Sequence, residues 1–141
     1  MNDNYKAVEV GTIDLSDISI ISEMSLGNIE LFGKLWLYKI EVYPNEGQIP
    51  HFHIISKNNM KWECCIEIYI PKYFSHGSKI GKLTNKQLKI LDSWLRDISK
   101  KDIFSFGATN WQTICMIWEF QGNTNTNVPK NPIQPDYTKI N

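Results

Sequence analysis

Residues Trp62 to Ile70 read W-E-C-C-I-E-I-Y-I, and this period-two run constrains the fold more than any other stretch of the chain. Successive residues of a strand point to opposite faces. Trp62, Cys64, Ile66, Ile68 and Ile70 therefore form an apolar set, and Glu63, Cys65, Glu67 and Tyr69 a mixed one. Such a strand buries one side of a sheet and keeps the other polar. Pro71 ends it, because proline lacks the amide that a central ladder needs.

Two earlier segments extend the same logic. The run I-E-L-F-G-K-L-W-L-Y-K-I-E-V-Y, residues 29–43, is rich in β-branched and aromatic residues, and Gly33 within it predicts a bulge or bend. It stops at Pro44, and Asn45-Glu46-Gly47 supplies turn chemistry before a strand that contains Pro50-His51-Phe52-His53-Ile54. Lys57-Asn58-Asn59 makes the next turn, so the three segments form a meander. Tyr5 to Leu15 alternates loosely and predicts a further initial strand, broken by Ser16-Asp17 before the apolar Ile18-Ile20-Ile21 group. If Phe52 and Ile54 join the core with Ile66 and Ile68, then His51 and His53 share the opposite face with Glu63, Cys65 and Glu67, and with Lys39, Glu41 and Tyr43. A slip of one residue would reverse this, and burial of the apolar face is what disfavours the slip.

The second half of the chain changes period. Thr84 with Gln87 three residues on forms a capping box, and Leu88, Leu91, Trp94, Leu95 and Ile98 follow at helical spacing. A second helix is predicted from Thr109 or Asn110 through Trp111, Ile114, Cys115, Ile117 and Trp118 to Gly122. The expected architecture is α+β: an antiparallel β-meander of three to five strands, two helices packed on one face, and an extended C-terminal tail. Residues 1–122 make a single globular domain on this reading. Residues 123–141 are polar with three prolines, a tail that is either disordered or docked along the surface.

Composition excludes several classes of function. Fifteen basic residues balance fifteen acidic ones, so the electrostatic footprint of a nucleic-acid binder is missing. No stretch of 18 apolar residues is present and the first residues do not read as a signal or transit peptide, which predicts a soluble cytoplasmic protein with no membrane partner. Cys64, Cys65 and Cys115 lack the paired C-x-x-C spacing of a zinc ribbon or redox centre and read as free thiols.

A strand ending in Y-P, a P-H-F-H-I strand, a further strand and a capped helix opening K-L-T-x-x-Q-L together resemble a small bacterial and phage domain of unknown function, catalogued as family 4160. The likeness covers about residues 35–98, and P-H-x-H is its specific element. The resemblance implies the fold and a toxin-antitoxin-like genetic setting, and implies no established activity. The first thirty residues, the tryptophan-bearing second helix and the tail go beyond the family core.

Chemistry centres on the histidine pair. His51 and His53 lie two apart, so a strand presents both imidazoles on one face, where a pair can hold a metal, move a proton or bind an anion. The candidate ligand-binding set is His51, His53, Cys65 and Glu67. A metal such as zinc would take His51 and His53 with Glu67, or with Cys65 or His76, as a completing donor. His76, in Ser75-His76-Gly77, reads as a turn residue rather than a ligand. A histidine-dependent hydrolase would use the pair as base and acid. The chain lacks a third histidine at position 55, a second H-x-[ST] motif, a P-loop, an H-E-x-x-H helix and a G-x-S-x-G elbow. Lys79, Lys82, Lys86 and Lys89 flank the start of the first helix, where exposed amides favour an anion. The expected function is a binding or regulatory protein without a cofactor, whose partner is a protein or a small anionic ligand and which is compatible with self-association. A metal-dependent or histidine-dependent, nuclease-like hydrolase with a divalent transition metal is the alternative.

Overall fold

The period-two segments are strands and the helically spaced ones are helices. A computed structural model of the chain describes residues 7–16, 37–44, 46–47, 49–58, 62–100, 107–121 and 128–140. The elements are β1 (Val8–Asp14), β2 (Leu37–Val42), β3 (His51–Ser56), β4 (Glu63–Glu67), α1 (Asn85–Arg96), α2 (Asn110–Gln121) and a short 3-10 turn at Tyr137–Lys139. The strands pair in sequence order, each antiparallel to the next. The Ile18-Ile20-Ile21 group, Gly33 with the first part of the 29–43 run, and Gly122 lie outside the described residues.

Register decides what the sheet buries. Ile40 pairs with Ile54 and Ile54 with Cys64, while Phe52 pairs with Ile66, so one face carries an unbroken apolar band. Every residue of that band is fully buried. The helices complete the same core with Leu88, Leu91 and Leu95 from α1 and Trp111, Ile114, Ile117 and Trp118 from α2. In β1 a bulge between Glu9 and Gly11 lets Val10 still reach the core. Gly11 is the residue the bulge needs, because a Cβ there would come within 2.9 Å of the Trp94 ring.

Helix ends are set locally. The Thr84 hydroxyl accepts from the Gln87 amide at 3.2 Å, and the Gln87 side-chain oxygen accepts from the Thr84 amide at 2.9 Å. Thr109 and Gln112 repeat the device at the start of α2, at 3.0 and 2.9 Å. The Gln87 side chain also donates to the Leu15 carbonyl at 3.2 Å, which ties α1 to the end of β1. Two apolar residues expected to face the core do not. Ile70 follows the end of β4, where the chain bends, and Ile98 follows the end of α1 in an isolated bridge to Thr109; both side chains are exposed.

The tail docks, and one side chain enters the core. Tyr137 is fully buried. Its hydroxyl donates to the Ile68 carbonyl and accepts from Trp111 Nε1 at 3.2 Å, while its amide donates to Asp92 Oδ1 at 3.0 Å. One residue thereby joins the exit of β4, α1 and α2. Among the described residues no helix is long and apolar enough to cross a membrane. Replacing Tyr137 with Ala should destabilise the fold by about 3–5 kcal/mol through the cavity it leaves, and Tyr137→Phe by about 1–3 kcal/mol through the buried groups left unpaired. Urea unfolding followed by tryptophan fluorescence measures both, and equal costs for the two variants would refute the packing role.

Candidate metal centre

His51 and His53 stand on the polar face of β3. His53 pairs with Glu41 on one side and Cys65 on the other, and His51 pairs with Glu67. This is the face that alternation assigns to them, yet each side chain is only 1% exposed. The chain after β4 covers them. Residues 72–82 run along the free edge of β4 through Glu67 N to Lys72 O, Phe74 N to Cys65 O and Gly81 N to Glu63 O, each 2.9 Å. From this edge Phe74 stacks on the His51 ring at 4.0 Å, and the His76 ring meets those of His51 and His53 at 5.4 and 5.3 Å. Gly81 permits the close approach, since a Cβ there would lie 2.7 Å from the Glu63 carbonyl oxygen and the Trp62 ring.

The turn between β2 and β3 supplies the fourth group. The Glu46 amide donates to the Tyr43 carbonyl at 3.0 Å, and Gly47 takes the left-handed φ of 78°. The chain thus folds back so that the Glu46 carboxylate points at the histidines. Glu46 Oε1 lies 2.9 Å from His51 Nε2 and 2.7 Å from His53 Nε2, and Oε2 lies 2.8 Å from His76 Nε2. Three imidazoles present the same nitrogen to one carboxylate. Glu46 and His76 are each 22% exposed, so the cluster is dry at its base and reaches solvent at its rim.

The other ring nitrogens show what holds each ring in place. His51 Nδ1 is 2.8 Å from the Ile49 carbonyl oxygen, which can only accept, so Nδ1 holds a proton. Burial pushes the His51 pKa below its ordinary value, against the hydrogen bonds to Ile49 and Glu46, which favours the neutral ring. His51 Nε2 lies 2.9 Å from Glu46 Oε1, a contact that is a hydrogen bond where this nitrogen carries a proton. His53 is likewise held between two carboxylates, Glu63 at Nδ1 and Glu46 at Nε2. His76 Nε2 is near Glu46 Oε2 but off the line a hydrogen bond requires, and makes no hydrogen bond of its own. Burial tends to raise the Glu46 carboxyl, but contacts from His76, His53 and His51 outweigh it and hold the group at about 2. The ring nitrogens and the carboxylate oxygen of this group lie within 4.8 Å of one another.

Four potential ligand atoms around a common point are an arrangement a cation can occupy once it displaces the ring protons. Three imidazoles and a carboxylate form a borderline-hard N/O donor set. The Ile49 carbonyl and Glu63 carboxylate occupy the places of the outer partners that fix tautomer and ring orientation in metal-bound histidines. Cys65 and Glu67 stand differently. Cys65 Sγ touches His53 from the Nδ1 side, at 3.4 Å, and burial foremost pushes its thiol up to about 12. Cys65 groups with His53 and Glu63 rather than with the converging Nε2 atoms. Glu67 is opposite His51 in register but is absent from both groups of donor atoms. The residues that converge with His51 and His53 are Glu46 and His76; the sequence offered His76 as one completing donor while favouring a turn role for it, and did not single out Glu46.

Glu46 went unnoticed in the sequence because it sits in turn chemistry five residues before His51. The signal that could have found it is E-x-x-x-x-H-x-H across a tight hairpin, where the return of the chain brings the turn over the strand. Comparison with protein-family models, with curated proteins and with solved structures gives no match, so the centre is read from its own geometry.

Both shifted groups in the cluster make the metal-free protein sensitive to acid. His51 and Glu46 have folded-state pKa values below their ordinary ones, so each contributes stability above the unfolded value that is lost as pH falls. The unfolding midpoint should drop once as pH passes below the ordinary histidine range near 6.5, and again between about 4.5 and 2. In Glu46→Gln the second decline should shrink. Thermal unfolding across pH in a chelating buffer measures this, and a midpoint that rises on acidification would contradict it.

Proposed function

We propose that this protein is a metal-binding protein that holds one divalent transition-metal ion, zinc foremost, through Glu46, His51, His53 and His76. The observation that carries the reading is the convergence of three Nε2 atoms on one carboxylate. His51 and His53 are oriented from behind at Nδ1 by the Ile49 carbonyl and Glu63, and both turn Nε2 toward Glu46. A cation that displaces the protons from these nitrogens takes each of them as a ligand. Charge supports the same reading, since the two positive charges of the ion are matched by Glu46 inside the centre and Glu63 behind His53. A tetrahedral zinc with bonds of about 2.0–2.1 Å places its donors about 3.3 Å apart. The 2.7–2.9 Å contacts thus need the Glu46 turn to draw back by roughly half an ångström.

Four protein donors make a closed site of the structural or storage kind, whereas a hydrolytic zinc keeps a position for water. The binding-protein class therefore fits the centre better than the hydrolase does. Two donors come from a rigid strand and two from flanking turns, so the ion would staple the β2–β3 turn and the 72–82 segment onto the sheet.

Elemental analysis of protein purified without a histidine tag should find about one equivalent of zinc or a neighbouring metal. The double variant His51→Ala, His53→Ala should lose it. Glu63→Gln should weaken affinity about 10–100-fold by loosening the ring it orients. Cys65→Ser and Glu67→Gln should leave the stoichiometry unchanged. At about a thousand times the dissociation constant, the ion should add about 4 kcal/mol of stability. A metal-free protein whose unfolding midpoint moves with neither zinc nor chelator would overturn the proposal.

A further inference from the structure

A cleft of about 170 Å³ adjoins the histidine cluster and shares its walls. Cys65, in contact with His53, forms one side, and Phe74, stacked on His51, forms another. Its remaining character comes from the 72–82 segment. Tyr73, Phe74 and Ile80 give apolar surface, Lys79 and Lys82 give positive charge, and none of its lining residues is acidic. Two features make it a formed site. Gly81 pins the floor to β4 through its amide bond to the Glu63 carbonyl, at 2.9 Å. The Tyr73 hydroxyl accepts from the Leu83 amide at 3.0 Å, which fixes the ring, and Lys82 Nζ stands 5.5 Å from the centroid of that ring. Ile80 lies on the lip with 77% of its surface exposed, an apolar side chain that the core does not use.

We infer that this cleft binds a small organic anion, its oxyanion group held by Lys79 and Lys82 and its flat apolar body against Tyr73 and Ile80. Charge complementarity selects an anion. The aromatic and aliphatic walls select one with an apolar body over a bare inorganic ion. The helix start nearby is not the holding element, because the Thr84 and Gln87 amides are taken by the capping box. The inference goes beyond metal binding and does not depend on it.

Phenyl phosphate, benzoate, phenol and inorganic phosphate are the probes, titrated by amide NMR into the protein as isolated and again after chelator treatment. Saturable binding of phenyl phosphate and benzoate is expected in both preparations, with shifts concentrated in residues 73–82. Phenol and inorganic phosphate should each bind at least ten-fold more weakly. The double variant Lys79→Met, Lys82→Met should lose at least ten-fold, as expected where charge-assisted contacts hold the oxyanion. Lys79→Arg with Lys82→Arg should restore most of the binding. Metal content measured on the same variants keeps the two readings apart, since the lysine changes should leave it unaltered. Phenol binding as tightly as phenyl phosphate, inorganic phosphate binding equally well, an unaffected methionine variant, or no saturation in either preparation would each overturn the inference.

Discussion

The alignment of Ile40, Ile54 and Cys64 across β2, β3 and β4, with Phe52 against Ile66 beside it, is the constraint on which the rest of the structure depends. These side chains make the floor on which α1 and α2 pack, and they force the alternate residues of β3 to the other face. A slip of one residue would put two imidazoles into the helix-covered core and Phe52 and Ile54 onto the polar side. The cost of leaving such groups exposed, about 1.5–3 kcal/mol each, disfavours that arrangement. The histidine cluster is therefore held in place by hydrophobic packing on the far side of the sheet.

Edge protection and site formation are the same event in this fold. β4 is the last strand of the sheet, and an uncovered edge invites pairing with another chain. Residues 72–82 cover it with a few backbone hydrogen bonds and, in doing so, carry Phe74 and His76 over the histidines. At the other end of the strand Tyr137 takes the carbonyl of Ile68 as the chain departs. The tail thereby anchors the segment that leads into the covering strand edge.

The polar face shows how tertiary contacts convert ordinary residues into a centre. His51 and His53 on an open sheet would be solvated and independent. Covered by the 72–82 segment, they exchange water for fixed partners, and the partners at Nδ1 set the orientation of each ring. Among the described residues, Glu46 is then the one carboxylate that all three histidines meet. Tyr43, whose ring lies 4.7 Å from His53 and whose hydroxyl donates to Glu41, closes the side toward β2.

Much of the architecture was legible in the chain. Alternation at 62–70 named the buried face of β4, proline and glycine marked the turns, and the T-x-x-Q box marked the start of α1, because these are local preferences that neighbours in sequence enforce. The polar grouping of Lys39, Glu41, His53, Glu63 and Cys65 followed from period and register alone. What local pattern could not supply were contacts between segments distant along the chain: His76 reaching back over β3, Tyr137 entering the core from a polar tail, and the exposure of Ile70 and Ile98 where their elements end. Residue type and spacing determined which side chains share a strand face. Only the tertiary structure decided that Glu46 and His76, rather than Glu67, complete the cluster, because convergence on a point depends on how turns fold over the sheet, and the period of a strand carries no information about that.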